Sequence, residues 1–384
     1  MADAVSLPAE AVAPQRWIAA QRYDFPAEDI TSLNESIREM LEARAFLTLG
    51  RHGEEFESRF ATQIGVRHAV AVSSGTAALE IILRALKVEG REVIVPTNTF
   101  AASVFAVIRA GASVVFADSG EDLSVDPVDV ARLVTRNTAA VMSVHIGGVI
   151  SPAITQLKDI CERREVPLVE DAAHAHGTSL HGKQAGAFGA AAGYSFFSTK
   201  VMTTGEGGIV ATNDDRIADY ARLVRDQAKV AGLNRHEAIG YNWRLTEIQA
   251  MMGCLQLARI SEFIRERTRV ARIYDGILGD AAATLAGLEV PDGLAPNYYK
   301  YVLFTRSAAE THRITTELKA RGVSLGGAVY DTPCHEQPAF SGYRRRQLPR
   351  AETLCRQHIC PPIYPSLQDD DATYVAQTLL EVCS

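Results

Sequence analysis

An α/β fold, with a mostly parallel sheet covered by helices on both faces and a smaller α+β domain after it, follows from three features of the sequence. Between residues 65 and 212, short β-rich runs alternate with helix-length amphipathic stretches, the pattern of repeated βαβ units. Runs such as Val93-Ile94-Val95 are apolar without alternation, as strands buried on both faces are. Beyond about residue 260 this rhythm stops and the composition changes.

The elements follow in chain order. Seven strands are predicted, at His68–Val72, Glu92–Val95, Ser113–Ala117, Ala139–His145, Pro167–Glu170, Tyr194–Phe197 and Gly208–Thr212. Thr76–Lys87 and Ile154–Arg164 are amphipathic helices between them. In Asp214–Gln227, Ile217, Tyr220, Ala221 and Val224 recur at i, i+3, i+4 and i+7, a helix with one buried face. Leu245–Leu278 is helical in pattern and contains the domain boundary. Residues 1–260 form the large domain, with an N-terminal arm to about residue 45, and 261–384 the small one. In the small domain Tyr298–Phe304 reads as a strand, and Ser307 with Glu310 as a capping box opening a helix that Gly322 closes. Asp369, Asp370 and Asp371 suit the first turn of a last helix, where the macrodipole favours acids.

At 384 residues, 47% hydrophobic and 22% charged, the chain is an ordinary globular one that needs no disulfide or metal staple. With 39 basic against 46 acidic residues the net charge is −7, which argues against a nucleic-acid binder relying on a broad basic surface. A local basic pocket for an anionic small substrate stays open. Cys161, Cys254, Cys334, Cys355, Cys360 and Cys383 are scattered without a C-x-x-C pair, as in a reducing compartment and unlike a structural zinc site. Met1–Val12 holds Asp3 and Glu10 and no basic stretch, so no secretory leader is expected. The longest uncharged run, between Arg136 and Lys158, contains Asn137, His145, Gly147, Gly148 and Pro152 and reads as a strand and turn, not a membrane span. A cytoplasmic protein, with no membrane or nucleic-acid partner, is the expectation.

Four segments have chemical potential, three of them at the carboxyl ends of predicted strands, where open α/β sheets bind ligands. In Ser73-Ser74-Gly75-Thr76-Ala77-Ala78, a strand turns through hydroxyl residues and a glycine into a helix. That start suits a phosphate, or is a plain N-cap; no lysine follows at P-loop spacing. In Glu170-Asp171-Ala172-Ala173-His174-Ala175-His176, Asp171, His174 and His176, with His181, would serve a metal-dependent hydrolase. Alternatively Asp171 faces a cofactor ring nitrogen, or caps a turn beside unremarkable histidines. In Tyr194-Ser195-Phe196-Phe197-Ser198-Thr199-Lys200 a lysine closes an apolar aromatic run, followed by Gly205, Gly207 and Gly208. Desolvation there would lower its pKa, as an imine-forming amine requires; a surface lysine at a loop start is the alternative. Gly240-Tyr241-Asn242-Trp243-Arg244, before a helix start at Thr246, is a binding loop or a packed corner. Phosphate cradle, ring-nitrogen carboxylate and imine-forming lysine on one sheet are together the parts of a pyridoxal phosphate site.

On these residues, with Gly53-Glu54-Glu55-Phe56-Glu57 near the start and Pro361-Pro362-Ile363-Tyr364-Pro365 near the end, the chain resembles the DegT/StrS-type sugar aminotransferases. These are fold-type I pyridoxal phosphate enzymes. The resemblance implies a fold-type I transferase whose large domain holds a seven-stranded, mostly parallel sheet. It makes Lys200 the Schiff-base lysine and Asp171 the partner of the pyridine nitrogen. His174 would lie over the ring, Phe100 would stack on it, and Gly75, Thr76 and Ser195 would hold the phosphate. Asn242 and Arg244 would reach the neighbouring subunit's site, Arg244 as a substrate contact, implying a homodimer with shared active sites.

The reaction so implied moves an amine from an amino acid, glutamate or glutamine, to a keto sugar linked to a nucleotide. A keto-cyclitol acceptor is the alternative within the same chemistry. Departures from the family pattern are Ser198, Ile146 before Gly147-Gly148, and Glu336 in Cys334-His335-Glu336. The last two segments, His335 among them, are placed near the acceptor. The Arg344-Arg345-Arg346 run is either a diphosphate contact or a solvated surface.

Overall fold

The computed structural model describes residues 16–230, 233–279 and 285–383. The segment Met1–Val12, where no leader was expected, lies outside them.

After helices α1 (Ala27–Glu42) and α2 (Arg51–Ile64), the chain builds the sheet and its cover in alternation. Strand β1 (His68–Val72) leads into α3 (Gly75–Ala85), β2 (Glu92–Pro96) into α4 (Ala101–Arg109), and β3 (Ser113–Ala117) into α5 (Pro127–Leu133). Strand β4 (Thr138–Val144) is followed by α6 (Ile154–Arg163) and then β5 (Leu168–Asp171). A small hairpin, β6 (Ser179–Leu180) and β7 (Lys183–Gln184), precedes β8 (Ala191–Ser195) and β9 (Gly208–Thr212). The seven long strands form one sheet in the order β1-β9-β8-β5-β4-β2-β3. All pairings are parallel except those of β9, which runs antiparallel to both β1 and β8. Fold class and strand count agree with the sequence reading.

Apolar clusters cover both faces of the sheet. One face packs Val70, Val72, Val93 and Val95 against Ile81, Ile82 and Leu83 of α3. On β1 and its neighbour β9, Ala69, Ala71, Ile209 and Ala211 turn to the other face and meet Phe56 and Phe60 of α2. This two-residue alternation within uniformly buried strands is why the sequence shows continuous apolar runs. β8 is displaced from the expected Tyr194–Phe197 to Ala191–Ser195. The reason is packing: a Cβ on Gly193 would stand 2.8 Å from Leu79 Cδ2, so α3 demands small residues beneath it.

Helices α7 (Asp215–Arg225) and α8 (Glu247–Ala258) follow. Thr246 and Gln249 form the full capping box that opens α8: Gln249 N–H donates to Thr246 Oγ1 at 3.3 Å and Thr246 N–H to Gln249 Oε1 at 3.0 Å. The expected single helical stretch breaks at Arg259, and α9 (Ile260–Leu278) continues as the spine of another core. There Val270, Tyr274 and Leu278 pack on α10 (Ala308–Ala320) and, past α11 (Pro349–Arg356), on α12 (Asp369–Cys383) through Ile314, Leu318, Val375 and Leu379. The three aspartates do occupy the first turn of α12. The box at α10 is only half formed. Ser307 Oγ accepts from Glu310 N–H at 3.2 Å, but the Glu310 carboxylate takes Arg306 N–H at 2.7 Å and not that of the cap residue. Five of the six thiols are buried, and all six are unpaired. No described helix is long and apolar enough to cross a membrane.

The predicted strand Tyr298–Phe304 is largely absent; only Leu303–Phe304 joins a ladder. Upstream, the buried Asn297 amide donates to His174 O at 2.7 Å and His176 O at 3.0 Å, and Tyr298 turns the backbone at φ 49°. These bonds hold residues 297–300 against the loop after β5, away from the ladder that Leu303–Phe304 forms with His358–Ile359.

Candidate active site

A cavity of about 610 Å³ opens at the carboxyl ends of β1, β4, β5 and β8. At its floor α3 begins. Ser74 caps it, its Oγ accepting Ala77 N–H at 3.1 Å while Ser74 O accepts Ala78 N–H at 3.0 Å. The Gly75 and Thr76 N–H groups stand at the open end of the helix, facing the cavity they line. Ser195 closes against them: a Cβ on Gly75 would be 2.8 Å from Ser195 Cβ. The glycine therefore makes a cradle of amides and hydroxyls suited to a phosphate.

Asp171 ends β5 and is 6% exposed. Its Oδ2 accepts from Ser103 Oγ at 2.7 Å and its Oδ1 from Ala173 N–H at 3.1 Å. Ser103 in turn shares a 2.7 Å hydrogen bond with Thr99 Oγ1. The carboxylate is thus fixed by α4, a role for Ser103 that nothing in the sequence marked. The adjacent Glu170 is turned away and fully buried. It binds His145 Nε2 at 2.8 Å and the amides of Gly186, Phe188 and Gly189 at 2.6 to 2.7 Å.

His174 is buried between rings, 4.3 Å from Tyr299 at 28° and 6.0 Å from Tyr330 at 26°. Its Nε2 is 3.3 Å from Tyr330 Oη, and burial, reinforced by the Lys200 and Lys300 charges, drives its pKa well down, so the imidazole is neutral. Phe100 stands 61% exposed at the cavity edge, stacked near Tyr330. Lys200 closes a turn through its N–H to Phe197 O at 2.9 Å and extends Nζ to 5.2 Å from the Tyr299 centroid. Burial lowers its pKa from 10.5 to about 8; the Asp171 charge opposes this and Lys300 adds to it.

Gly75, Thr76, Phe100, Asp171, His174, Ser195 and Lys200 thus line one cavity. Three candidates do not. Asn242 is exposed beside Asp226, and Arg244 pairs with Asp226 at 2.7 Å. His335 is a buried strut between Thr97 Oγ1 (2.7 Å) and Glu352 (3.0 Å), lining a separate small cavity with Arg344–Arg346, so the acceptor contact expected of it is not made in this site. In that second cavity Arg345 meets Glu92 at 3.7 Å and Arg346 binds Asp129. Ile146 faces the core, and Glu336 pairs with Arg356, so neither expected acceptor position reaches the site.

The metal reading also fails on geometry. Among the described residues, Asp171, His174 and His176 do not bring ligand atoms together; His335, Glu336 and Glu352 do, but each already has a protein partner. Both His176 nitrogens are buried against Tyr194 and Phe196 with no side-chain partner, and burial takes the pKa to about 3. Residues missed in the sequence also reach the cavity: Gln21, whose amide donates to Thr199 O, and Tyr299, Lys300 and Tyr330. Lys300 carried a usable signal, a lysine within an aromatic run like that of Lys200.

Comparison with known proteins accords with this geometry. The family model for DegT/DnrJ/EryC1/StrS aminotransferases matches residues 28–380. GDP-perosamine synthase of Vibrio cholerae is 34% identical over 341 residues, 86% of this chain and 90% of that protein. The dTDP-3-amino-3,4,6-trideoxy-α-D-glucose transaminase of Streptomyces venezuelae is 34% identical over 90% of each chain. The solved structure of S. venezuelae DesV with a ketimine intermediate superposes with a TM-score of 0.87 at 32% identity, covering 93% of this chain and 95% of that one. A phosphate cradle, a buried carboxylate and a depressed lysine amine fit the cofactor these enzymes use, and the chain belongs to the DegT/DnrJ/EryC1/StrS aminotransferase family of pyridoxal phosphate enzymes.

Proposed function

We propose that this protein moves the amino group of an amino acid, L-glutamate or L-glutamine, to the keto group of a nucleotide-linked keto-deoxysugar. The observation that carries the reading is one cavity holding the depressed Lys200 amine, the Asp171 carboxylate and the α3 amide cradle. The nature of the acceptor is supported by relatives named for GDP- and dTDP-linked sugars.

Pyridoxal phosphate supplies an aldehyde for the amine and an electron sink for the carbon that loses its proton. The chain's own residues do the rest. Ser74, Gly75, Thr76 and Ser195 bind the phosphate, and Asp171, held by Ser103, keeps the ring nitrogen protonated. His174 and Phe100 present flat faces to the ring. Lys200, an amine near 8 rather than 10.5, takes the proton from one carbon and returns it to the other. The exposed Phe100 and Asn242 fit a homodimer in which Asn242 and Arg244 reach the neighbouring subunit's site; a cytoplasmic location suits the unpaired thiols.

The test is Lys200→Ala. The wild type is expected to be yellow, to be fixed by borohydride, and to lose its aldehyde absorbance on addition of L-glutamate and recover it on addition of a nucleotide-linked keto sugar. The variant is expected to lose all of this. Retention of transfer by the variant, or recovery of the wild type with a keto-cyclitol and not with any nucleotide sugar, refutes the assignment.

A further inference from the structure

The cavity holds a second amine. Lys300 is anchored by its backbone N–H on Gly147 O at 3.0 Å, at the end of the segment that Asn297 ties to the loop after β5. Its half-buried Nζ reaches Gly326 O at 3.3 Å and lies 5.4 Å from the Tyr299 centroid. Among the described residues no carboxylate stands within ion-pair distance of it. Asp171 is bound by Ser103 and Ala173. Burial draws the ammonium below its ordinary range; the nearby Cys360 opposes this and Arg267 adds to it. A desolvated lysine without a counter-charge is costly, and partners for such groups come from whatever the site binds.

The wall around Lys300 indicates which anion fits. Among the residues of one chain that line the cavity, Lys200 and Lys300 are the only lysines or arginines, and Lys200 is given over to the cofactor aldehyde in the proposed function. The rest of the lining mixes apolar and aromatic groups such as Tyr299, Leu325 and Val329 with polar ones such as Gln21, Thr199 and Glu206, and adds no further lysine or arginine. One ammonium on such a wall matches a single carboxylate, whereas a diphosphate needs several donors to replace its hydration. Both amines face the same Tyr299 ring, so the bound charge sits close to the reacting nitrogen. An amino acid carries a carboxylate one carbon from the nitrogen it gives up; a sugar nucleotide carries its charge across the sugar ring from the keto carbon.

We propose that Lys300 receives a carboxylate of the amino-acid donor and so fixes donor binding in this enzyme. The proposal rests on the donor reading above.

The experiment uses the holoenzyme and its Lys300→Met and Lys300→Arg variants. Each is titrated with L-glutamate, followed by loss of the aldehyde absorbance, and with α-methyl-L-glutamate, which has no α-hydrogen to lose and reports binding alone. Lys300→Met is expected to weaken both by about tenfold or more, with Lys300→Arg restoring most of the loss. Calorimetric binding of GDP and dTDP to the same proteins is expected to be unchanged, and cofactor content and spectrum show that each variant is folded. Unchanged affinity for both amino acids in Lys300→Met overturns the proposal, as does a loss confined to the nucleotides. A wild type aminated by no amino acid sinks the donor reading first, and this proposal with it.

Discussion

Gly75 and Ser195 are in contact across the floor of the cavity, with room for no side-chain atom between them: a Cβ on Gly75 would be 2.8 Å from Ser195 Cβ and 3.1 Å from Tyr194 O. The near neighbours include strand backbone, so they cannot move aside as a flexible side chain would. Gly75→Ala is therefore expected to push α3 away from β8 and open the phosphate cradle. Stability should fall by about 1–3 kcal/mol, as for other over-packed sites, and cofactor should wash out on dialysis that leaves the wild type loaded. Urea unfolding of the cofactor-free protein and the cofactor content after dialysis check the two effects separately. A fully loaded Gly75→Ala protein would show that the cradle is not where the phosphate is held.

Ser103 acts through Asp171. Removing its hydroxyl takes one of the two hydrogen bonds from a nearly buried carboxylate, each of that charged kind contributing about 1.5–3 kcal/mol. Ser103→Ala is expected to lose stability in that range and to lower kcat, with KM for the donor little changed. Asp171→Asn, by contrast, should keep its cofactor yet transfer almost nothing, because an amide cannot hold the ring nitrogen protonated. A Ser103→Ala enzyme with unchanged kcat would remove Ser103 from the positioning of Asp171.

What was legible in the sequence, and what was not, follows from how each residue announces itself. Lys200 and Asp171 stood out because a charge at the end of an apolar strand is costly unless it is used. Ser103 was invisible, since a serine on an amphipathic helix looks the same whether it holds a carboxylate or water. Lys300 was hidden by a wrong element: Tyr298–Phe304 has strand composition, but the Asn297 side chain and the positive φ of Tyr298 route it into the site. β8 was misplaced for the opposite reason. Aromatic propensity favoured Tyr194–Phe197, while helix packing over Gly193 selected the alanines before it. His335 looked like a ligand contact and proved to be a strut, a difference set by residues far apart in sequence, Thr97 and Glu352.

Glu170 is as deeply buried as any charged group here, and its role is structural. Four donors converge on it: His145 Nε2 and the amides of Gly186, Phe188 and Gly189. Glu170→Gln keeps the shape but faces one NH2 group toward donors, leaving buried polar groups unmatched. A loss of about 3–5 kcal/mol in urea unfolding is expected, as for one-sided removal from a buried charged network. A loss below about 1 kcal/mol would mean the network is wetter or weaker than its geometry implies.

The Lys200 amine should reveal its environment through pH. Its pKa near 8 rather than 10.5 means that the free amine, the form that attacks an aldehyde, grows in as pH rises through 8 and is nearly complete where an ordinary lysine is still protonated. The rate of cofactor attachment to cofactor-free protein, followed by absorbance, should rise with a midpoint near 8. Two variants move it in opposite directions. Lys300→Met removes a positive neighbour that disfavours the ammonium, so the midpoint should climb. Asp171→Asn removes the charge that favours it, so the midpoint should drop. A midpoint near 10.5 in the wild type, or shifts of the reverse sign, would show that the amine is solvated and that burial does not prepare it for its reaction.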